Sequence, residues 1–167
     1  MPGADADYTV SHGAFAGLDA VSKTDLRRVF ITENEFNFLA FPPAAGSLVV
    51  LGAGYGFDAL AQAAWLQRCD LRYWGDIDTH GFAILDQLRA HFPQAPSLLM
   101  DHDTLLAHRS QWTVEPQPTQ RDLLRLNEAE HRLFDDLRWR RLQDEPLRLE
   151  QERVAFGCVK RAVASTA

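Results

Sequence analysis

The stretch from Leu71 to Gly81 reads Leu-Arg-Tyr-Trp-Gly-Asp-Ile-Asp-Thr-His-Gly, and it decides the fold. Its first four residues are a short, mainly apolar run, and Asp76-Ile-Asp78 follows after a break at Gly75. A helix-like spacing of apolar residues begins after Thr79. A short buried strand followed by a turn and an amphipathic helix is the repeating unit of a parallel α/β sheet. We therefore predict a strand over 71–74 and a helix that Thr79 caps.

The same succession of strand, turn and helix is predicted along most of the chain. Three further apolar runs are each followed by a break and a helix-like segment: Val29–Thr32, Leu48–Leu51 and Leu98–Met100. Four such runs predict an α/β fold, a doubly wound and mainly parallel four-stranded sheet with flanking helices. We expect the core over about 27–112 and a helical C-terminal extension over about 120–164. Residues 1–24 are polar and rich in Gly and Ala, so we expect a flexible lead-in to a single domain over 25–167.

Three helices can be bounded from local signals. Asp58 is placed to cap the Ala-rich segment 59–67. An apolar stripe at helical spacing continues over 79–92 and ends before a proline. Asn127 and Glu130 have the spacing of a capping box, which predicts a helix with an inward apolar face after them.

Composition excludes several classes of protein. The 167 residues include 17 basic and 23 acidic side chains, a net charge of −6, with 46 % hydrophobic residues, as in an ordinary globular domain. No apolar stretch reaches the roughly 18–20 residues of a membrane helix, and the N-terminus does not read as a signal peptide. The two cysteines lack CxxC spacing, so we expect a cytoplasmic protein with no membrane partner. The acidity argues against a protein that coats nucleic acid through bulk charge.

Acidic side chains follow two of the predicted strands. Glu33 comes directly after the first, and Asp76 and Asp78 come after the third. The carboxyl ends of parallel strands meet at one edge of a sheet, so the three carboxylates face one crevice if these strands are neighbours. Burying them together without a partner is unfavourable, and carboxylate oxygens are the ligands that Mg²⁺ or Mn²⁺ prefers. The pattern favours a divalent-metal site, although a lone D-x-D after a strand is equally typical of a helix cap with a loop acid.

The ordered motifs resemble the Toprim domain of topoisomerases, primases and nucleases, and more closely the C-terminal domain of the JetD family. The matching stretches are Ile31–Glu35, Phe38–Pro42, Gly52–Tyr55, Tyr73–Phe82, Leu99–Asp101 and Arg148-Leu-Glu-Gln-Glu-Arg153. They cover roughly 27–160, most of the chain. Members of that family are Toprim nuclease subunits of Wadjet anti-plasmid defence systems and are related to the A subunit of type IIB topoisomerases.

The resemblance implies Mg²⁺- or Mn²⁺-dependent cleavage of DNA phosphodiesters by a Toprim-like domain. In this chemistry a metal ion polarises the phosphate and lowers the pKa of a bound water molecule. Glu33, Asp76 and Asp78 are implied as the catalytic, metal-binding acids, with Glu33 also a candidate general base or acid. Glu150 and Glu152, in the late motif, are implied as additional ligands or as contacts to the ligands.

Implied partners are DNA and condensin-like (SMC/kleisin) defence subunits, and a homodimer is left open. Family members carry an N-terminal arm that engages DNA and partner subunits, and no segment here matches it. We therefore expect a separately encoded or truncated domain that cuts DNA held by other subunits. Predicted DNA contacts within the chain are Gly54, His80, Arg148 and Arg153.

Each DNA contact has a structural alternative. The glycine loop over 52–56 is an incomplete dinucleotide fingerprint, and a tight strand-to-helix turn explains it better. His80 fits the first turn of a helix at least as well as a phosphate contact. Arg148 and Arg153, like the other late arginines, are also typical of a solvated face interleaved with acids.

Two other functions remain open. The first is a non-catalytic Toprim-fold binding module that keeps the metal site. The second is a metal-dependent phosphatase or nucleotide hydrolase that uses the same acids. The sequence at 76–79 is similar to the nucleophile motif of haloacid-dehalogenase-type phosphatases, but there the acids follow the first strand, whereas here they follow the third. The six histidines show neither HxxxH nor HExxH spacing, which disfavours a zinc site.

Overall fold

A three-stranded parallel sheet lies at the centre of the computed structural model, which describes residues 12–17, 25–52 and 57–166. The strands are β1 (Arg28–Thr32), β2 (Ser47–Leu51) and β3 (Asp70–Trp74), in the order β2-β1-β3. Strand β1 lies in the middle, pairs in parallel with both neighbours and is almost completely buried. The first and third strands are therefore neighbours, which is the condition for Glu33 to share one edge with the D-x-D acids.

The predicted fourth strand is wrong. Leu98–Met100 forms no strand, and only Ser97 makes an isolated parallel bridge, with Tyr73. The backbone N–H of Leu98 donates to the carbonyl of Tyr73 at 2.7 Å. Leu99 then adopts a φ of 56°, a left-handed conformation that turns the chain away from the sheet. The sheet therefore has three strands and one bridge, and the four-stranded Toprim-like arrangement is not confirmed.

Helices alternate with these strands along the chain and continue after them. Their bounds are α1 His12–Ala16, α2 Glu35–Leu39, α3 Asp58–Ala61, α4 Thr79–His91, α5 His102–Ala107, α6 Glu128–Arg138 and α7 Phe156–Ala164. Short 3₁₀ helices cover Ala64–Arg68, Arg109–Gln111 and Gln151–Arg153. A separate antiparallel ribbon pairs β4 (Thr113–Val114) with β5 (Leu147–Arg148). The fold is thus mixed α/β, and within the described ranges no helix has the length and apolar character needed to cross a membrane.

The single helix expected over 59–67 is also wrong. Helix α3 ends after one turn, and Phe57 occupies the N-cap position that was expected for Asp58. Ala63 leaves the helical region, with φ −82° and ψ 84°, and a 3₁₀ helix follows. The break lets Trp65 turn inward, where its indole N–H donates to the carbonyl of Phe15 at 3.0 Å. Tertiary packing therefore overrides the helix propensity of this Ala-rich segment.

The segment expected to be a flexible lead-in contains helix α1. The ring of Phe15 lies 5.2 Å from that of Trp65, centroid to centroid, so this helix packs on the domain. Residues 1–11 and 18–24 lie outside the described residues.

Helix α4 has the predicted buried stripe but a different cap. Asp78, and not Thr79, is the N-cap, and its Oδ1 accepts a hydrogen bond from the backbone of Gly81 at 2.7 Å. The hydroxyl of Thr79 donates instead to Glu115 at 2.6 Å and therefore does not cap the helix. The helix ends at His91, before the proline, as expected.

The capping box at the start of α6 is confirmed, and it joins the C-terminal extension to the core. The side chain of Asn127 accepts from the backbone of Glu130, and the Glu130 carboxylate accepts from the backbone of Asn127, both at 2.9 Å. The same carboxylate accepts from the guanidinium of Arg89 on α4. Burial alone would raise the pKa of Glu130, but the hydrogen bonds from Arg89, Asn127 and Ser97 outweigh it and hold that pKa below its usual value.

This buried pair yields a stability prediction. Glu130→Ala leaves the guanidinium of Arg89 buried without its partner, so we expect a loss of about 3–5 kcal/mol in the free energy of unfolding. Glu128→Ala is the matched control, because Glu128 lies in the same helical turn and pairs only at the surface. We expect the control to change stability by less than about 0.5 kcal/mol. Urea denaturation followed by circular dichroism measures both, and equal effects would contradict the proposed importance of the pair.

Candidate metal centre

Two of the predicted acids meet at the carboxyl edge of the sheet. Strands β1 and β3 end side by side, with Thr32 opposite Trp74. Glu33 leaves β1 at this edge and Asp76 leaves β3 two residues further on, so their charges interact. Glu33 and Asp76 therefore share the carboxyl edge of the sheet, as the sequence predicts for neighbouring parallel strands.

The carboxylate of Glu33 is held in a confined space. Its Oε1 is buried and has no hydrogen-bond partner among the residues that the structure describes. Burial, and secondarily the charge of Asp76, raises the pKa of Glu33 above its ordinary value. A Cβ atom at Gly52 would lie 2.7 Å from this oxygen and 3.0 Å from Cγ2 of Ile31. The first glycine of the loop therefore makes room for Glu33, while Gly54, the expected phosphate contact, lies outside the described residues.

Asp76 is the most perturbed acid of the cluster. Burial is the main cause that raises its pKa, from 3.8 to about 6, and the negative charges of Asp78 and Glu152 add to it. The backbone N–H of Gln151 donates to Asp76 Oδ1 at 2.8 Å and opposes the shift, as does the charge of Arg148. At neutral pH the folded protein must therefore keep an unfavourably buried carboxylate ionised.

Asp78 has a different environment, with both carboxylate oxygens occupied. The residue is 1 % exposed. Its Oδ1 caps α4, and its Oδ2 accepts from Nε of Arg148 at 2.6 Å. The helix-cap interpretation of the second D-x-D acid is thus confirmed. Arg148, expected as a DNA contact, forms an ion pair with one of the expected metal ligands.

The late motif packs directly on the D-x-D loop. Leu149 and Ile77 form an antiparallel bridge with two backbone hydrogen bonds of 2.9 and 3.0 Å. The side chain of Gln151 is completely buried, and its amide donates to Thr32 Oγ1 at 2.7 Å and to the carbonyl of Trp74 at 2.9 Å. Gln151 therefore connects the ends of β1 and β3 and positions Asp76. Sequence reasoning missed it because its partners, Thr32 and Trp74, lie 119 and 77 residues away.

The remaining residues of that motif have their own partners. Glu150 accepts from Nε of Arg153 at 2.5 Å, and Glu152 accepts from the side chain of Asn34 at 3.0 Å. Of these two glutamates, Glu152 contributes to the raised pKa of Asp76. Over the described part of the chain, no group of three or more His, Cys, Asp or Glu side chains is arranged to hold a metal ion.

His80 lies in the first turn of α4, as the alternative to a phosphate contact predicted. One ring nitrogen, Nε2, lies 2.6 Å from the carbonyl oxygen of Gln117. The backbone N–H of His80 donates to the carboxylate of Glu115 at 3.2 Å. The residue therefore belongs to the helix N-terminus and to the loop that covers it.

Glu115 is a second residue that sequence reasoning missed. Its Pro-rich surroundings predict only a turn or linker, yet Glu115 is 1 % exposed. Its carboxylate accepts from the backbone N–H and hydroxyl of Thr79, at 3.2 and 2.6 Å, and thereby satisfies the start of α4. Burial, with the nearby charge of Asp78, raises the pKa of Glu115. The sequence carries no signal for this role, because the hydrogen bonds of Glu115 come from Thr79 and His80, 36 and 35 residues away.

The donor set at this edge fits one small divalent cation. Mg²⁺ commonly binds through one or two carboxylates and keeps several water molecules. Glu33 and Asp76 supply two carboxylates with no basic side chain hydrogen-bonded to them in the described part of the chain, and one of their oxygens is buried without a partner. A cation at this pair would remove the unfavourable electrostatics that raise both pKa values.

Fold and site together define a parallel α/β domain with an acidic centre at the carboxyl edge of its sheet. The family model described as the Wadjet protein JetD, C-terminal, matches residues 5–163, nearly the whole chain. The chain therefore belongs to the JetD C-terminal family, which confirms the resemblance and implies a component of Wadjet defence. A search of curated proteins found no match.

A glycine substitution tests how tightly the D-x-D loop is packed. A Cβ atom at Gly81 would overlap the carbonyl oxygen of Asp76, a backbone atom that cannot move without shifting the site. We expect Gly81→Ala to lower the free energy of unfolding by about 1–3 kcal/mol or more. Gly157→Ala is the control, because its Cβ would meet only the end of the Arg161 side chain, at 3.5 Å. Thermal unfolding should show the control unchanged or slightly stabilised, and a harmless Gly81→Ala would contradict the described packing.

The raised pKa of Asp76 predicts that the difference in stability between the wild type and Asp76→Asn depends on pH. The folded protein holds this proton up to about pH 6, whereas an unfolded chain releases it near the ordinary value of 3.8. Ionisation thus removes stability as the pH rises through about 6, by up to roughly 3 kcal/mol. Asp76→Asn should therefore be more stable than the wild type at about pH 8, and this advantage should fade below about pH 4.

Denaturant unfolding at several pH values, without divalent ions, measures this difference. Bound Mg²⁺ should then narrow the gap at pH 8, because ligand binding stabilises the native wild type. An Asp76→Asn variant that is less stable than the wild type at pH 8 would contradict the assignment.

Proposed function

We propose that this chain is the metal-dependent DNA endonuclease domain of a Wadjet-type defence complex. The observation that carries the proposal is the buried, unpartnered Oε1 of Glu33 beside Asp76, at the ends of two adjacent parallel strands. Membership in the JetD C-terminal family supports a role in plasmid defence. Phosphodiester hydrolysis assisted by Mg²⁺ or Mn²⁺ needs carboxylates of this kind, held together by a rigid scaffold.

Glu33 and Asp76 are the residues that would hold the metal ion. A bound divalent ion polarises the phosphate and lowers the pKa of water. The protein's own part is to orient the ligands. The backbone N–H of Gln151 fixes Asp76, and the space at Gly52 admits the carboxylate of Glu33. Glu33 is also the candidate proton acceptor, since no neighbouring group in the described residues donates to its Oε1.

The proposed DNA contacts contribute little net positive charge. Arg148 is paired with Asp78, Arg153 is paired with Glu150, and the whole chain carries a net charge of −6. Such a domain gains little from counterion release on DNA. We therefore propose that condensin-like subunits, with a second copy of the chain as a further candidate, hold the DNA while this domain cuts it. Glu150, Glu152 and His80 would then act at the margin of the site.

A plasmid-nicking assay tests the proposed activity. Supercoiled plasmid is incubated with the chain, alone and with its partner subunits, in the presence of Mg²⁺ or Mn²⁺. We expect nicking that EDTA abolishes and that Glu33→Gln and Asp76→Asn each reduce at least about 100-fold. Glu128→Gln, which neutralises an exposed acid at the start of α6, is the matched control and should keep wild-type activity. Metal-dependent nicking that survives both site variants would refute the assignment.

A non-catalytic metal-binding module is the second candidate, favoured by one observation. Asp78 already has an ion-pair partner in Arg148, so fewer carboxylates are free than a three-acid centre would require. This candidate predicts metal binding that depends on Glu33 and Asp76, but no nicking even with all partner subunits present. The endonuclease proposal predicts both.

A further inference from the structure

We propose that the guanidinium of Arg148 permanently neutralises Asp78. The domain therefore binds one divalent ion, through Glu33 and Asp76, and none through Asp78. The inference rests on the proposed function, since it concerns the same carboxylates. It changes the roles within the D-x-D motif, because its first acid becomes a metal ligand and its second becomes the partner of an arginine.

The contacts of Asp78 leave it poorly suited to a metal ion. One oxygen is committed to the N-terminus of α4 through Gly81, and the other accepts from Nε of Arg148 at 2.6 Å. A guanidinium keeps its proton at every working pH, so its positive charge stays beside this oxygen. A divalent ion bound to the same oxygen would be repelled by that charge over a few ångströms. Asp78 is thus already neutralised.

Backbone contacts on both sides of Arg148 hold its segment in place. Its strand, β5, pairs with β4, where Arg148 lies opposite Thr113. The next residue, Leu149, exchanges two backbone hydrogen bonds with Ile77, which lies between the two acids of the motif. The guanidinium therefore approaches Asp78 from a segment anchored on both sides, 70 residues away in sequence.

Glu33 and Asp76 present the opposite situation. In the described ranges neither carboxylate forms an ion pair, and the recorded donor to Asp76 is the backbone N–H of Gln151. Three carboxylates and one guanidinium carry two negative charges together, which one divalent ion neutralises. Two further acids lie nearby: Glu115 is satisfied by the N-terminus of α4, and Glu152 is exposed to solvent and accepts from the side chain of Asn34. Charge and hydrogen bonding therefore agree on a single ion at the Glu33–Asp76 pair.

Mn²⁺ binding measured by electron paramagnetic resonance on the full chain, without DNA, tests this inference. We expect one Mn²⁺ per wild-type chain and at least about tenfold weaker binding in Glu33→Gln and Asp76→Asn. The double variant D78N/R148M removes the ion pair as a neutral unit, so its affinity should stay within about threefold of the wild type. R148M alone exposes the charge of Asp78 and should tighten binding at least about fivefold or add a second ion.

R148K keeps a cation at this position and should bind one Mn²⁺ with near wild-type affinity, which tests the role of charge even if R148M fails to fold. The inference is overturned if D78N/R148M loses as much affinity as Asp76→Asn, or if the wild type binds two ions. In either case the proposed metal-dependent function still stands. Absence of Mn²⁺ binding by the wild type would overturn both.

Discussion

The ion pair between Asp78 and Arg148 connects two parts of the molecule that are 70 residues apart in sequence. Asp78 ends the loop after β3 and caps α4, while Arg148 belongs to the C-terminal ribbon. Because the pair is largely buried, removing either partner would leave an uncompensated charge inside the protein. The Leu149–Ile77 bridge and the Gln151 amide extend the same junction to the ends of β1 and β3. The geometry of the acidic edge depends on this junction.

The acidic edge is electrostatically divided. On one side Asp78 and Glu115 are satisfied by an arginine and by helix N–H groups. On the other side Glu33 and Asp76 are partly buried and form no ion pair in the described residues. Their pKa values are raised, although the charge of Arg148 partly offsets the shift at Asp76. Such unfavourable burial is retained in proteins mainly where function needs it. Part of the chain's negative charge therefore lies at this edge, where the proposed cation would offset it.

Local patterns predicted the parts of the fold that local physics determines. The three strands, the buried stripe of α4 and the capping box of α6 each follow from periodicity or from one short motif. The placement of Glu33 beside Asp76 follows from the rule that parallel strand ends share an edge. The predicted fourth strand failed because a left-handed Leu99 ends its pairing after one bridge, a backbone feature that an apolar run does not reveal. The Ala-rich helix over 59–67 failed because inward packing of Trp65 breaks it.

The partners of the site residues could not be predicted, because they come from distant parts of the chain. Arg148 meets Asp78 across 70 residues, Gln151 meets Thr32 across 119, and Glu115 meets Thr79 across 36. A single sequence indicates which residues can carry charge and chemistry, but it does not indicate which of them neutralise one another. For that reason the expected DNA contacts Arg148 and Arg153 turn out to be paired with acids.

Crystals of the chain soaked in Mn²⁺ would show which carboxylates bind the metal, through its anomalous scattering. We expect one anomalous peak, coordinated by the carboxylates of Glu33 and Asp76, with the Arg148–Asp78 ion pair intact. A peak coordinated by Asp78, with the guanidinium of Arg148 displaced, would contradict it.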